Sequence, residues 1–342
     1  MLKSRLCIAF FAFAVGCAPA QKPLTDYVNP MLGTATLWDS VDLGFKPTKR
    51  TWGAEVFPGS SLPNAMVQVS PVTKFHSGAG YQYEDSVIYG FTHTNKGHWN
   101  LCHIPLLPVT GTPTPGDYCS PFSHERESAA PGYYQVFLDR YGVDAQLSST
   151  LRCAFHKYTY PAGAAASLLA DLQRSNEHVR AWDIRKEGDN VFAGWQQTGE
   201  KMYFYAVANR PVTGIEPVVE GDREVRIVRF GEGDGALELR IGFSFVSEKN
   251  ARENLEAEML GKSFAEVRSE ATATWNDLLG RIRVEGGTER EKGLFYSSLY
   301  RSFLWPALRS DVNGEFTDVD GKVINPGFRY YTGPVSYTHL RA

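Results

Sequence analysis

The sequence predicts a multi-domain β-plus-α protein: an N-terminal antiparallel β-sandwich, a helical linker and the opening of an α domain. Three observations predict it. The 342 residues exceed what one hydrophobic core usually serves. Period-two patterns follow one another from about residue 26 to 247 with no helical stretch between them. The period then changes to that of a helix, with capping signals to mark it.

The strand signals come first. Val143, Ala145, Leu147, Ser149, Leu151, Cys153 and Phe155 alternate with largely polar neighbours, as a half-buried strand requires. Leu237, Leu239, Ile241, Phe243 and Phe245 do the same. The glycine-rich turn at 231–235 before them predicts a hairpin with a strand at 224–230. Further strands are expected at 66–70, 134–139, 167–171, 190–196 and 202–208. The early region 37–80 is rich in loops, with Pro47, Pro58, Pro63 and Pro71.

Helical signals follow. A short helix is expected at 251–260, and Ser263-Phe264-Ala265-Glu266 has the form of a capping box. Behind it Phe264, Val267, Ala271, Trp275, Leu278 and Ile282 fall on one stripe. Gly286-Gly287 breaks the chain, and a second helix at 289–305 is expected to bury Phe295, Leu299 and Phe303 before Pro306 stops it. Asn313-Gly314 and Asp320-Gly321 then read as tight turns. One helix and a hairpin do not bury a core of their own, so the apolar faces of both helices are expected to be exposed and prone to aggregation.

Residues 1–20 read as a secretory signal, with Lys3 and Arg5 ahead of an apolar run at 6–15 too short to span a bilayer. Ala18-Pro19-Ala20 offers a small-x-small cleavage site, while Ala14-Val15-Gly16-Cys17 resembles a lipobox that would leave a lipidated Cys17 and attach the protein to a membrane. Either route carries the protein across the inner membrane of a bacterium, to the periplasm or to the outer membrane as a lipoprotein. The net charge of −3 becomes more acidic once Lys3 and Arg5 leave, which argues against a nucleic-acid partner. Beyond the leader, Cys102, Cys119 and Cys153 are too few and odd in number to form a disulfide framework.

The densest chemical signal is the run from Gly90 to Asn100, which packs ring, amide and imidazole groups around glycines. Such a mixture suits a sugar: the Trp99 indole stacks on C–H bonds, while His93, His98 and Asn100 read hydroxyls. Glu55 and the Pro58-Gly59 loop, close to Trp52, are further candidates for substrate contact. Paired carboxylates for glycoside hydrolysis do not stand out among the scattered Asp and Glu. His93, His98 and His103 recur at five-residue intervals, a spacing that does not itself converge on zinc, so no metal ligands are assigned. Asp311-Val312-Asn313-Gly314-Glu315 has its glycine in the wrong place for a calcium loop and reads as a turn.

Four blocks carry a family resemblance. They are Tyr27-Val28-Asn29-Pro30 with the residues to Thr34, the proline–glycine stretch 57–71, Gly80-Tyr81-Gln82-Tyr83 through Gly90-Phe91-Thr92-His93-Thr94, and Phe295-Tyr296-Ser297-Ser298-Leu299-Tyr300 with Ser310-Asp311-Val312-Asn313-Gly314. In this order they resemble glycoside hydrolase family 92, the bacterial exo-acting α-mannosidases. The resemblance implies a β-sandwich of the supersandwich type at 26–248, a helical linker at 249–284 and, at 285–333, the truncated start of an (α/α)6 catalytic barrel. It implies calcium-dependent, inverting hydrolysis of terminal α-mannose on mannose-rich glycans. The family's acid, base and Ca2+ ligands lie in the barrel beyond this chain's end, so no catalytic residue is carried over and the chain alone is expected to be inactive. Where many members have a Ser-Gly-Thr-Gly-like run after the histidine, this chain has Lys96-Gly97-His98-Trp99-Asn100, and residues 334–342 depart from the family pattern. A non-catalytic carbohydrate-binding sandwich and a related sandwich-plus-barrel glycoside phosphorylase are the alternative readings.

Overall fold

A computed structural model describes residues 22–36, 56–78, 80–95, 101–233 and 235–333. Cys17, Glu55, His98, Trp99 and Asn100 lie outside the described residues, as do the leader and the segment 334–342.

The strands in chain order are β1 (Ser60–Ser61), β2 (Gln68–Val72), β3 (Val87–Ile88), β4 (Gly90–Thr92), β5 (Leu106–Val109), β6 (Ser120–Pro121) and β7 (Glu127–Ala130). Next come β8 (Tyr133–Leu138), β9 (Val143–Ser149), β10 (Cys153–Thr159), β11 (Ser167–Ala170), β12 (Ala181–Gly188), β13 (Val191–Gln197) and β14 (Lys201–Ala208). Then follow β15 (Val212–Glu220), β16 (Arg223–Phe230) and β17 (Leu237–Ser244). After them run helices α1 (Glu248–Glu258), α2 (Phe264–Leu279) and α3 (Glu289–Ser302), and the short strands β18 (Ala307–Leu308), β19 (Phe316–Thr317), β20 (Val323–Ile324) and β21 (Tyr331–Thr332). One sheet has the order β1-β2-β4-β5-β11-β16-β15 and the other β12-β13-β14-β17-β10-β9-β8-β7.

A single core lies between these sheets. Val69, Phe91, Leu106, Leu168 and Ile227 of the first meet Tyr134, Leu147, Phe204 and Ile241 of the second, all of them sealed from solvent. Each such side chain contributes about 1.5–3 kcal/mol relative to exposure. This burial fixes the register, because a slip of one residue would turn every apolar side chain outward.

Two strand expectations are corrected by the pairing. The turn at 231–235 is not a hairpin: β16 pairs with β11 and β15 in one sheet, whereas β17 pairs with β10 and β14 in the other. The chain crosses the sandwich there. Likewise 143–155 is two strands, β9 and β10, reversing at Thr150-Leu151-Arg152. Ala154, His156 and Tyr158 pair with Ser149, Leu147 and Ala145, so they share the inner face. Cys153 and Phe155 therefore point to the outer face, where α1 and α2 cover them together with Leu255, Met259, Phe264 and Val267. The alternation ran on through the turn, but onto the opposite side of the sheet.

The helices have chemical reasons for their bounds. Ser263 and Glu266 form the predicted capping box at α2, and Thr288 and Glu291 form a second at α3. Gly242 of β17 lets α1 lie close, since a Cβ there would sit 2.1 Å from the Ala251 carbonyl oxygen. The stripe of α2 is mostly covered rather than exposed: Phe264, Val267, Ala271 and Trp275 are buried, Leu279 is buried in place of the half-buried Leu278, and Ile282 beyond the helix end is open. Its far half joins Leu24, Val28, Phe57, Tyr296 and Tyr300 in a separate cluster. Helix α3 buries Tyr296, Ser297 and Tyr300, and the predicted Leu299 and Phe303 are half-buried against the same cluster. The tyrosines face Tyr27 and Trp275, with ring centres 5.5 and 4.4 Å apart, and Phe295 is left exposed.

Candidate functional site

The chain on either side of the predicted sugar-reading segment is pinned, and these flanks form a neck. Strand β4 ends at Thr92, and the chain returns at Leu101. There Leu101 N–H and Cys102 N–H donate to the Thr94 carbonyl at 3.1 and 3.3 Å, and His103 N–H donates to Thr94 Oγ1 at 3.0 Å. Asn95, fully buried, donates to the carbonyls of Gln68 and Thr92 and accepts from Thr92 Oγ1. His103 lies 3.0 Å from Thr94 Oγ1 through Nδ1 and 3.0 Å from Thr198 Oγ1 through Nε2. On either side of it Cys102 and Ile104 adopt φ of 51° and 53°. For a β-branched residue this left-handed backbone is strained by about 1–3 kcal/mol, and the surrounding bonds hold it in place. Ile104 N–H, for instance, donates to Gln196 Oε1 at 2.8 Å.

The neck is bound to residues 175–176 and, through Thr198, to the β13–β14 turn. Ser175 Oγ and Asn176 N–H both donate to the Leu101 carbonyl. Glu177 Oε2 accepts from Gly199 N–H at 3.2 Å, in the β13–β14 turn that also holds Thr198. Glu200 of that turn pairs with Arg309 at 2.5 Å, and the Arg309 guanidinium lies 3.5 Å from the Phe245 ring centre. Glu177 thus links residues 173–182 to the β13–β14 turn, and Glu200 links that turn to Arg309. Sequence reasoning missed Thr198, Glu177, Glu200 and Arg309, which no motif marks. His103 had a signal in the histidine spacing, but that spacing did not show its partner.

His93 is corrected from a sugar-reading group to a core group. Its side chain is sealed between the sheets, with Nε2 3.0 Å from His156 Nε2, and His156 Nδ1 lies 2.6 Å from Tyr158 Oη. A consistent assignment has Tyr158 O–H donating to His156 Nδ1 and His156 Nε2–H donating to His93 Nε2. Burial pushes His93 down to about 3 and His156 well below its ordinary value, so both rings are neutral at neutral pH. The Phe243 ring packs on His93 at 4.5 Å.

Gly59 is corrected in the same way. It is buried, and a Cβ would stand 2.1 Å from the Val69 carbonyl oxygen and 2.5 Å from Ser70 Cα. Only glycine lets β1 lie this close to the next turn of chain. The loop after it acts as a strut. Asn64 N–H donates to the Phe303 carbonyl, Asn64 Nδ2 to that of Pro306, and Trp275 Nε1 to that of Ser61, at 2.7, 2.7 and 2.8 Å.

The buried carboxylates serve structure. Asp311, in the stretch weighed against a calcium loop, accepts from Ser244 Oγ and Asn250 Nδ2 on one oxygen and Asn254 Nδ2 on the other, at 2.6, 2.9 and 2.7 Å. Burial raises its pKa despite these donors. Beside it Arg152 donates to the Ser310 carbonyl and pairs with Glu258 at 2.6 Å, tying the chain after α3 to β10 and α1. Asp171 is held by Tyr118 Oη and Arg223, and Glu127 by Tyr81 and Tyr134. Among the described residues no three of His, Cys, Asp and Glu gather to hold a metal, and the saturated Asp311 does not fit a calcium ligand.

A two-sheet sandwich with helices on its outer face, and a neck of strained backbone at its rim, describes a protein class that comparison makes specific. Residues 27–254 match the glycosyl hydrolase family 92 N-terminal domain, and residues 250–338 match the glycosyl hydrolase family 92 catalytic domain. The chain belongs to glycosyl hydrolase family 92. The second match includes residues 334–338, which corrects the expectation that the family pattern ends at 333. The fold is similar to that of a family GH92 alpha-mannosidase of Bacteroides thetaiotaomicron, with TM-score 0.81 and 26% identity, covering 91% of this chain and 45% of that one. The same enzyme in complex with mannoimidazole gives TM-score 0.81 and 26% identity, over 91% and 44% of the two chains. An uncharacterized secreted glycosidase of Arthroderma benhamiae is 24% identical, over 84% of this chain and 42% of its own length. The chain spans less than half the length of these relatives.

Proposed function

We propose that this chain is the N-terminal part of a secreted glycoside hydrolase that removes terminal α-linked mannose from mannose-rich glycans. The observation that carries the proposal is the pairing of the two family matches, in order along the chain. The similarity to an alpha-mannosidase solved with mannoimidazole supports mannose as the sugar. In this reading Trp99 stacks on the apolar face of the sugar, while His98 and Asn100 hydrogen-bond its hydroxyls. Glu55 is a further contact on the same substrate.

Cleavage follows the inverting route: one carboxylic acid protonates the glycosidic oxygen while a carboxylate activates water from the opposite face, the two ~6.5–9.5 Å apart. The buried carboxylates Asp171, Asp311 and Glu127 are committed to other partners. By the family resemblance, the cutting pair and the calcium ligands lie in the (α/α)6 barrel of the whole enzyme, and this chain alone holds sugar without cutting it. Secretion proceeds through the leader, with Cys17 as the lipid anchor if the lipobox is used.

Incubating the purified chain with α-1,2-mannobiose and calcium should release no mannose, and release would overturn the division of labour. Titration with mannose should perturb tryptophan fluorescence, and Trp99→Ala should abolish that signal. A signal that survives Trp99→Ala would remove the segment from the site.

A further inference from the structure

A cleft of about 710 Å³ opens beside the neck and has no part in the reading above. Its size falls within the range of about 300–1,000 Å³ common to small-molecule sites. His76, Arg174, Glu177, His178, Arg180 and Trp182 line it. It adjoins the neck at Leu101, because Ser175 of its wall and the neighbouring Asn176 both hold the Leu101 carbonyl. The opposite wall is fixed to the same point: His76 N–H donates to Asn176 Oδ1 at 2.7 Å.

The floor is rigid. The Arg174 guanidinium lies 5.2, 5.3 and 5.8 Å from the ring centres of Phe75, Tyr89 and Tyr118, and 3.8 Å from Asp171. The rim is open for contact. Arg180 and His178 are exposed and form no ion pair among the described residues. Glu177 uses Oε2 on Gly199 N–H, leaving Oε1 available. Trp182 is half-buried, with the Arg226 guanidinium 5.3 Å from its ring centre. An indole platform with a carboxylate, an imidazole and a guanidinium around it offers donors and acceptors together, which suits hydroxyls that both give and take hydrogen bonds. A phosphate or sulfate would meet Arg180 but be repelled by Glu177.

We propose that this cleft is a second saccharide subsite, which stacks an inner, uncharged sugar of a glycan on Trp182 while the end sugar sits at residues 96–100. The proposal rests on the reading above for the end sugar alone. Calorimetric titration of the purified chain with mannose, an α-linked mannotriose, cellotriose and inorganic phosphate tests it. The trisaccharide should bind on the order of tenfold tighter than mannose, the gain of one well-stacked ring. Trp182→Ala and, separately, the surface change Arg180→Ala should erase that gain and leave mannose affinity unchanged, whereas Trp99→Ala should weaken both ligands. A gain that persists in both cleft variants, failure of the trisaccharide to bind, or millimolar phosphate displacing it through Arg180 would overturn the proposal. If cellotriose shows the same Trp182-dependent gain, the subsite stands and the assignment of mannose falls.

Discussion

Acid should unfold this protein through its interior histidines. In the unfolded chain His93 titrates near its ordinary 6.5, whereas burial holds it at about 3 in the fold. Between those values the unfolded state binds the extra proton. The stability contributed by the neutral ring is complete above about pH 6.5 and is lost as pH falls toward 3. At pH 5 the loss from His93 alone is about 2 kcal/mol, and by pH 3 it reaches about 4 kcal/mol. His156, depressed for the same reason, titrates with the same sign. Asp171 and Asp311 act oppositely, because burial raises their folded pKa and the fold keeps their protons longer. Comparison with His93→Gln/His156→Gln therefore isolates the histidines. Urea unfolding followed by tryptophan fluorescence at pH 7.5 and pH 5 should show the parent losing about 2 kcal/mol or more beyond the double variant. Imidazole proton resonances of the parent should also show two rings that do not titrate between pH 8 and pH 5. Equal acid sensitivity in parent and variant, or titration of every ring, would refute the argument.

Other substitutions probe the frame around the site. Gly59→Ala places a methyl group 2.1 Å from a backbone carbonyl that has no room to yield, and should cost about 3 kcal/mol; an unchanged melting midpoint would show that the strut is soft. Arg152→Ala strands the Glu258 carboxylate, whose side chain is 14% exposed, and should cost about 3–5 kcal/mol in denaturant titration. Glu258→Gln, which keeps an acceptor, should cost less. Ser263→Ala removes the α2 cap and should lower stability by about 1 kcal/mol, read as a shift in thermal midpoint.

Sequence pattern revealed elements better than neighbours. The alternation from Leu237 to Phe245 marked β17, and Ser263 with Glu266 marked the start of α2, because both signals are local. The glycines at 231–235 signalled a reversal equally well. They could not say that Phe230 and Leu237 would join different sheets, since pairing is decided by which faces the whole core can bury. The same limit applied to 143–155, where apolar spacing continued through a turn that changed the side each residue served. At the site, the ring-and-amide composition drew attention to 90–100, but a histidine looks alike in sequence whether it meets a ligand or, as His93 does, another buried histidine. The partners at Thr198, Glu200 and Arg309 come from distant stretches of the chain, and their contact exists only in the fold.

Helix α2 sets how this protein can move. One end, at Phe264 and Val267, is embedded in the layer over Phe155, and the other, at Trp275 and Leu279, is clamped by Tyr300 and Leu24. Its 16 residues span about 24 Å as a straight rod with no hinge between the two anchors. Swinging the sandwich away from α3 would tear open one anchor or the other and expose Trp275 to water. The sandwich and the segment after α2 are therefore joined as one packed body, with a single helix as the shared beam.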